Sequence, residues 1–597
     1  MNELLNFYNS RVAFFQNELA KTKKRLFTSS MLRLGVFLLA AFLVYFFFEN
    51  WKAVIFIVLI TILVFVFLVS RHSNLQYERD KNQVLIDLNQ TEIKVLNRDF
   101  FELPDGEEFK NPLHAFSQDI DLFGEKSFFQ YLNRTSLQEG KQCLANILTE
   151  NEIASIESKQ AAIAELATKT DFRQNFSAVA SLVNSETTAA SVLKWLSEYS
   201  FFTPKFANWL PTAFSIASAG VIACFFLDFI SGMQLLLWFF IGLSITGVYL
   251  KKINSLSEKV DKVQGLFQQY HQLLALLETT NFSSEILAEK RSEIHSEACP
   301  SGRREKKASA VLRLFSKHID ALDQRNNLLF GMLGNGFLLW DLWQSQRLEK
   351  WIGEYSNNVE KWFETIEFMD AYNSLGNFAH NHPNYVFPKI TNGKTLIEAE
   401  KAVHPLIDPA KSVKNDFSID ESEFLIITGA NMAGKSTFLR TVSLQIVLSN
   451  IGLPVCASAC EYSPIKLITS MRTSDSLSDE ASYFYSELTR LKFIVDQIKT
   501  DQYFIVLDEI LKGTNSTDKA VGSRKFIEKL VNSGSTGIIA THDLSLCKVA
   551  ENFPQVKNHY FDAEIKNGEL YFDYRFKKGI CQNMNASFLL KKMEIVD

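Results

Sequence analysis

Residues 429–437 read Gly-Ala-Asn-Met-Ala-Gly-Lys-Ser-Thr, and few local structures satisfy that string. The spacing G-x-x-x-x-G-K-[ST] needs glycines that let the backbone turn tightly and aim its N–H groups at phosphate oxygens. Lys435 is then placed to reach the β and γ oxygens, and the Ser436 hydroxyl can ligate Mg²⁺. The flanks agree with this. Residues 424–428 form a short apolar run that predicts a buried strand, and residues 438–448 have helical spacing. Strand, glycine loop and helix in that order predict a nucleotide site. Gly429, Ala430, Asn431, Met432, Ala433, Gly434, Lys435, Ser436 and Thr437 would line the phosphates.

A second apolar run, 503–507, ends in Asp508 and Glu509. Two carboxylates at the carboxyl end of a buried parallel strand suit nucleotide hydrolysis. Asp508 would hold Mg²⁺, directly or through water, and Glu509 would polarise the attacking water. A third run, 536–540, leads into Thr541, His542 and Asp543, which places His542 for a γ-phosphate contact.

These motifs carry a family resemblance. The loop 428–440, with Asn431-Met432 inside it, closely resembles that of the MutS family of DNA mismatch-repair ATPases. Residues 507–518 look like that family's LDE-x-x-x-GT segment, and 540–543 like its ATH segment. Ser474-Asp475 and the stretch from Glu480 through Ser482 and Phe484 to Glu487 resemble its ABC-type signature region. The resemblance implies that Ser482 completes the nucleotide site of the opposite subunit, making a composite dimeric site with ATP and Mg²⁺ as cofactors. Looser matches run upstream, through residues 119–140, 160–166, 368–375 and 402–406.

The departures bear on function. Phe100-Phe101-Glu102 looks superficially like the family's mismatch-wedging Phe-x-Glu. A charged helical stretch precedes it and Pro104-Asp105-Gly106 follows at once, so no reading domain of the family's size is expected around it. The aromatic that the resemblance leads one to expect near adenine, just before Asn415, is replaced by Ser412 or Val413. Base stacking must come from elsewhere.

Hydrophobic residues make up 47 % of the 597, including 51 Phe, and the excess is concentrated. Apolar runs occupy 34–48, 53–69, 209–227 and 233–250, each near the length of a bilayer crossing. The tight connections at 49–52 and 228–232 predict two transmembrane hairpins. The apolar start lies too far from Met1, and lacks the small-residue pattern, for a cleaved signal peptide. Lys21, Lys23, Lys24, Arg25 and Arg33 precede the first span, Arg71 and Arg79 follow the second, and Lys251 and Lys252 follow the fourth. Positive-inside reasoning then gives a multi-pass protein of the cytoplasmic membrane with its ATPase in the cytoplasm. The seven cysteines are scattered and odd in number; Cys456 and Cys460 have no matching Cys/His pair, so reduced thiols are expected rather than zinc.

The expected fold is mixed. Residues 1–110 comprise an amphipathic helix to about 30, hairpin one at about 31–70 and a charged helical connector. Residues 111–380 form a MutS-like (lever-like) helical core interrupted by hairpin two at about 207–251. Residues 385–597 form a C-terminal α/β ABC-type P-loop ATPase domain. Leu256, Val260, Val263, Leu266 and Phe267 stand at helical spacing as core positions. The basic loop around Arg303 and Lys306 reads first as solvated, with DNA phosphate or anionic lipid as the other option. The function implied is a membrane-anchored MutS-like ATPase. It would hydrolyse ATP as a homodimer and bind DNA in a mismatch-repair context, although a net charge of −5 gives no overall nucleic-acid signature. The alternative is a membrane-embedded, ATP-driven switch or scaffold without a DNA ligand. An ABC transporter is the weakest option, because its Leu-Ser-Gly-Gly-Gln signature is missing from the chain.

Overall fold

The computed structural model describes residues 2–182, 187–295, 307–472, 483–566 and 569–582. Its first half is helical. Helix Asn2–Phe46 turns at residues 47–50 and returns as helix Trp51–Leu96. Asn50 caps the second helix, accepting from Ala53 N–H at 3.2 Å. The expected breaks near residues 30 and 70 are missing: the amphipathic segment, the apolar runs and most of the connector are two continuous helices. No proline interrupts 1–96, and helix once formed propagates one hydrogen bond per residue. The connector stops being helical at Leu96, before an irregular stretch with only a short 3₁₀ turn that reaches to Ser127.

Among the described residues, three helices are long and apolar enough to cross a membrane: Asn2–Phe46, Trp51–Leu96 and Gly232–Thr279. The run expected at 209–227 folds as a shorter helix, Leu210–Phe226. One further apolar helix, Leu328–Leu338, was not expected from the sequence. It interrupts the long helices otherwise foreseen for 252–380.

Helix Gly232–Thr279 runs on from its apolar part into the core, where Leu256, Val260, Val263, Leu266 and Phe267 are all buried. It packs beside Ala308–Asp323 and Trp340–Asn381. The last of these, 42 residues long, is buried at almost every position from Met369 to Ala379. Gly376 is needed there because a Cβ would lie 2.7 Å from Leu166 Cβ. Phe100 is also core, with its ring 5.1 Å from Tyr131. Glu102 pairs with Lys94 at 3.2 Å, so the Phe-x-Glu look-alike is packing rather than a wedge.

A buried polar network ties the stems of the first helical pair to this core. Tyr8 donates to Asn381 Oδ1 at 2.6 Å, Asn381 Nδ2 donates to Glu92 Oε2 at 2.7 Å, and Arg134 Nε donates to Glu92 Oε1 at 2.7 Å.

From Val386 the chain is α/β. A six-stranded sheet has the order Lys577–Lys578, Val556–Phe561, Phe424–Gly429, Thr536–Ala540, Tyr503–Asp508, Lys466–Ser470. All its pairings are parallel except that of the first strand. Phe424–Gly429 lies within the sheet and is buried throughout, as its uninterrupted apolar run requires. A second sheet carries Lys389–Ile390, Ala459–Tyr462, Thr395–Ala402 and Asn415–Asp420.

Arg134→Leu is predicted to leave the Glu92 carboxylate buried without its cation. Breaking such a pair costs roughly 3–5 kcal/mol. A thermal melt of the detergent-solubilised chain should show a clear drop; an unchanged melting temperature would contradict the network.

Candidate functional site

Three of the parallel strands end at one edge of the sheet, and the predicted site residues gather there. Gly429 ends its strand at φ 149°, where a Cβ would come 2.5 Å from Phe561 O. Gly434, at φ 107°, precedes helix Lys435–Asn450. Both positions demand glycine for backbone reasons that do not depend on any ligand. Between them Met432 holds φ 67° and points into solvent.

Lys435 folds back into the loop: its Nζ donates to Gly429 O at 2.8 Å and to Ala430 O at 2.9 Å. Burial lowers its pKa, with Asp508 and Glu509 opposing that effect. The ammonium therefore sits at the loop's mouth in a dry setting, poised for an anion.

Ser436 Oγ donates to Asp508 Oδ2 at 2.7 Å, joining the two residues expected to hold the metal. Asp508 is pushed above its ordinary value by burial, the Ser436 bond working against the rise. Hard oxygen donors and a partly desolvated carboxylate fit a small divalent cation.

Glu509 follows with φ 49°, a left-handed conformation that turns its side chain away from Asp508 toward the next strand end. There His542 Nε2 lies 2.7 Å from Glu509 Oε1. That hydrogen bond is the main reason the Glu509 carboxyl is held down at about 2. Lys435 Nζ is 3.3 Å from the same His542 nitrogen. The nitrogen that donates to Glu509 has no lone pair left for the ammonium, so this second approach is proximity rather than a further bond. Lys435, Ser436, Asp508, Glu509 and His542 thus form one cluster. His542, expected against a γ-phosphate, is engaged with Glu509. Thr437 lines the adjoining cavity, and Ser482, with Ser474, Asp475 and Glu480, lies outside the described residues.

That cavity, about 420 Å³, opens beside the glycine loop and is lined among others by His404, Ile407, Val413, Phe438, Phe561 and Tyr574. A Cβ on Gly434 would lie 3.1 Å from the Tyr574 ring. Asn415 fixes the Tyr574 segment, donating from Nδ2 to Tyr574 O at 3.0 Å. An aromatic about 160 residues after Asn415, Tyr574, thus lines this cavity, where Ser412 and Val413 stand in place of the aromatic looked for before Asn415. Nothing local in the sequence marked Tyr574.

Glu487 was seen only as part of a resembling stretch. It is buried and accepts from Lys512 N–H at 3.0 Å and from Leu511 N–H, in the loop that follows Glu509.

Comparison with known proteins bears on the same region. Residues 425–593 match the family profile MutS domain V. The chain is 29 % identical over 258 residues to MutS protein homolog 4 of Homo sapiens, covering 41 % of this chain and 26 % of that protein. It is 29 % identical over 241 residues to DNA mismatch repair protein MutS of Staphylococcus haemolyticus, covering 39 % and 27 %. Against DNA mismatch repair protein MutS of Fusobacterium nucleatum it is 33 % identical over 223 residues, covering 36 % and 24 %. The matched part spans about a quarter of the length of these relatives.

Glu487→Ala should free the Leu511 and Lys512 amides. Losing a buried acceptor costs about 1–3 kcal/mol, roughly a 5- to 150-fold loss of hydrogen-exchange protection at those amides. Unchanged exchange would show that the loop holds itself.

Proposed function

Because this chain is a MutS-family protein by its C-terminal domain, we propose that it is a membrane-anchored ATPase of that family whose nucleotide state controls engagement of DNA. The observation that carries the reading is the convergence of Lys435, Ser436, Asp508, Glu509 and His542 on one sheet edge, with Ser436 bonded to Asp508, His542 bonded to Glu509 and Lys435 3.3 Å from His542. That arrangement supports a P-loop ATPase of the ABC type.

The division of labour follows from the electrostatics. Lys435 exchanges the carbonyls of Gly429 and Ala430 for phosphate oxygens when a nucleotide enters. Ser436 and Asp508 would hold Mg²⁺, which when bound neutralises charge on the β and γ phosphates. Glu509 stays ionised at any ordinary pH and can accept a proton from the attacking water, while His542 fixes its direction. The cavity under Tyr574 takes the base. Ser482 of a second copy would close the site from the other side, making the working unit a homodimer.

The exposed apolar surfaces of helices Asn2–Phe46, Trp51–Leu96 and Gly232–Thr279 support a multi-pass membrane protein. The flanking lysines and arginines support a cytoplasmic ATPase. DNA binding is supported by the mismatch-repair names of the relatives. A second reading, an ATP-driven membrane switch without DNA, is favoured by one observation. The Tyr8–Asn381–Glu92–Arg134 network links the stems of the apolar hairpin to the helix that enters the ATPase domain.

Lys435→Ala is predicted to weaken ATP binding by roughly 10- to 150-fold, the equivalent of about 1.5–3 kcal/mol for a charge-assisted contact. Glu509→Gln should keep ATP bound while slowing turnover by about 10²–10⁴-fold. Equilibrium binding and single-turnover hydrolysis on the two variants test the assignment; undiminished affinity in the first, or undiminished turnover in the second, would overturn it.

The pH dependence has a definite sign. The Glu509 pKa is depressed mainly by His542, so its carboxylate is ionised above about 2 and protonates only below that. In His542→Ala the pKa rises toward the ordinary glutamate value, and the acidic limb of the turnover–pH profile moves to higher pH. A limb that stays in place would show that His542 does not tune Glu509.

A further inference from the structure

The apolar helix Leu328–Leu338 is too short to cross a bilayer, yet it is built like a membrane element. Its 11 residues include no charge and a single amide side chain, Asn335. At 1.5 Å per residue it is roughly 16 Å long, about half the ~30 Å of a hydrocarbon core.

Its contacts give its depth. At the entry, Arg325 donates to Asn254 Oδ1 at 2.6 Å, just beyond Lys251 and Lys252 at the polar end of the neighbouring apolar run. At the far end a Cβ on Gly242 would lie 2.2 Å from Gly336 O, and a Cβ on Gly336 would lie 2.1 Å from the Phe239 ring. Small residues that bring two backbones into contact are a device of helix pairs in lipid. Asn254 and Gly242 are twelve residues apart, roughly 18 Å along their helix. The short helix therefore begins by the polar edge and meets the middle of the apolar run at Gly336, and Trp340 Nε1, donating to Ala321 O at 2.7 Å, holds the outgoing chain near the entry.

The chain then turns back. Leu339 adopts a left-handed φ of 51°, the Trp340 ring packs 5.3 Å from Phe330, and Asp341 N–H donates to Asn335 Oδ1 at 2.9 Å. Arg325 and Asp341 meet at 3.0 Å across the neck, so entry and exit share one side. The outward face, Leu328, Leu329, Met332 and Leu333, is exposed, and the helix beside it exposes Leu236, Leu237, Phe240 and Ile241.

We propose that residues 328–338 form a re-entrant membrane helix whose outer face is covered by acyl chains of the cytoplasmic leaflet. This rests on the membrane reading of the long apolar helices and goes beyond it, because it adds a lipid contact that leads directly into helix Trp340–Asn381. The exposed apolar residues of the short helix adjoin those of the long helix packed beside it, and residues 328–338 and 233–250 carry no charged side chain. Lipid is therefore the occupant this surface fits, in preference to a second copy of the chain.

The test uses the full chain reconstituted into phosphatidylethanolamine–phosphatidylglycerol vesicles. p-Benzoylphenylalanine is introduced in turn at Met332, at Leu63, at Leu237 and, as an aqueous control, at Lys492. Adducts are identified by mass after photolysis. Lipid adducts at 332 comparable to those at 63 and 237, with none at 492, are expected. Lipid adducts at 63 and 237 with none at 332, or protein–protein adducts at 332, would overturn the re-entrant helix while leaving the membrane reading standing. No lipid adduct at any of the four would overturn both.

Discussion

Helix Trp340–Asn381 is the member on which the other parts of the chain lean, and its burial makes that dependence strict. Asp370, wholly buried, accepts from the N–H groups of Ser136 and Leu137 at 3.0 and 2.8 Å and so starts helix Gln138–Thr149. Burial raises its carboxyl to about 7, a sign of how little water reaches it. Ser374 accepts from Arg134 N–H at 2.7 Å. Asn381, at the end of the helix, holds Tyr8 and Glu92 from the two stems. A buried polar group that loses its partner is costly, so these bodies have little freedom to shift except together.

Besides Arg440 of helix Lys435–Asn450, which donates to Asp119 O at 3.1 Å, helix Tyr483–Gln497 connects the candidate nucleotide site to this frame. Near its start Glu487 holds the loop after Glu509. One turn further on, Arg490 donates to His114 O at 2.9 Å and to Thr469 O, clamping the irregular stretch 97–127 that follows helix Trp51–Leu96. Asp119, in the same stretch, accepts from Arg472 N–H at 2.8 Å. A change around the two carboxylates thus has a packed route to the stems of the apolar hairpin. Interfaces of this kind shift between discrete arrangements rather than deforming smoothly.

Much of the site was legible because its signals are short-range. The glycine loop, the carboxylates Asp508 and Glu509, and His542 each sit at the end of an apolar run, and parallel pairing of those runs brings the ends together. What could not be read depended on distant partners. Tyr574 reaches the cavity beside the glycine loop through a segment anchored by Asn415, and no local pattern encodes that. The engagement of His542 with Glu509 follows from the left-handed backbone at Glu509, which composition does not reveal. In the helical half the apolar runs were visible, but their continuity with the flanking charged helices was not, because a change from apolar to charged residues resembles a boundary while the backbone need not break. Residues 328–338 carry no span signal, because an apolar stretch of eleven residues, Asn335 among them, is too short to cross a bilayer.

The proposed control of DNA engagement at a membrane by ATP occupancy is tested in one step by vesicle co-flotation. The full chain reconstituted in vesicles is mixed with duplex DNA, matched or mismatched, with ATP, ADP or no nucleotide, over a salt series. DNA that floats with the vesicles in a nucleotide-dependent and salt-sensitive way is the predicted result. Vesicles that hydrolyse ATP and carry no DNA at any salt or nucleotide state would contradict it, and would assign the same engine to a membrane switch.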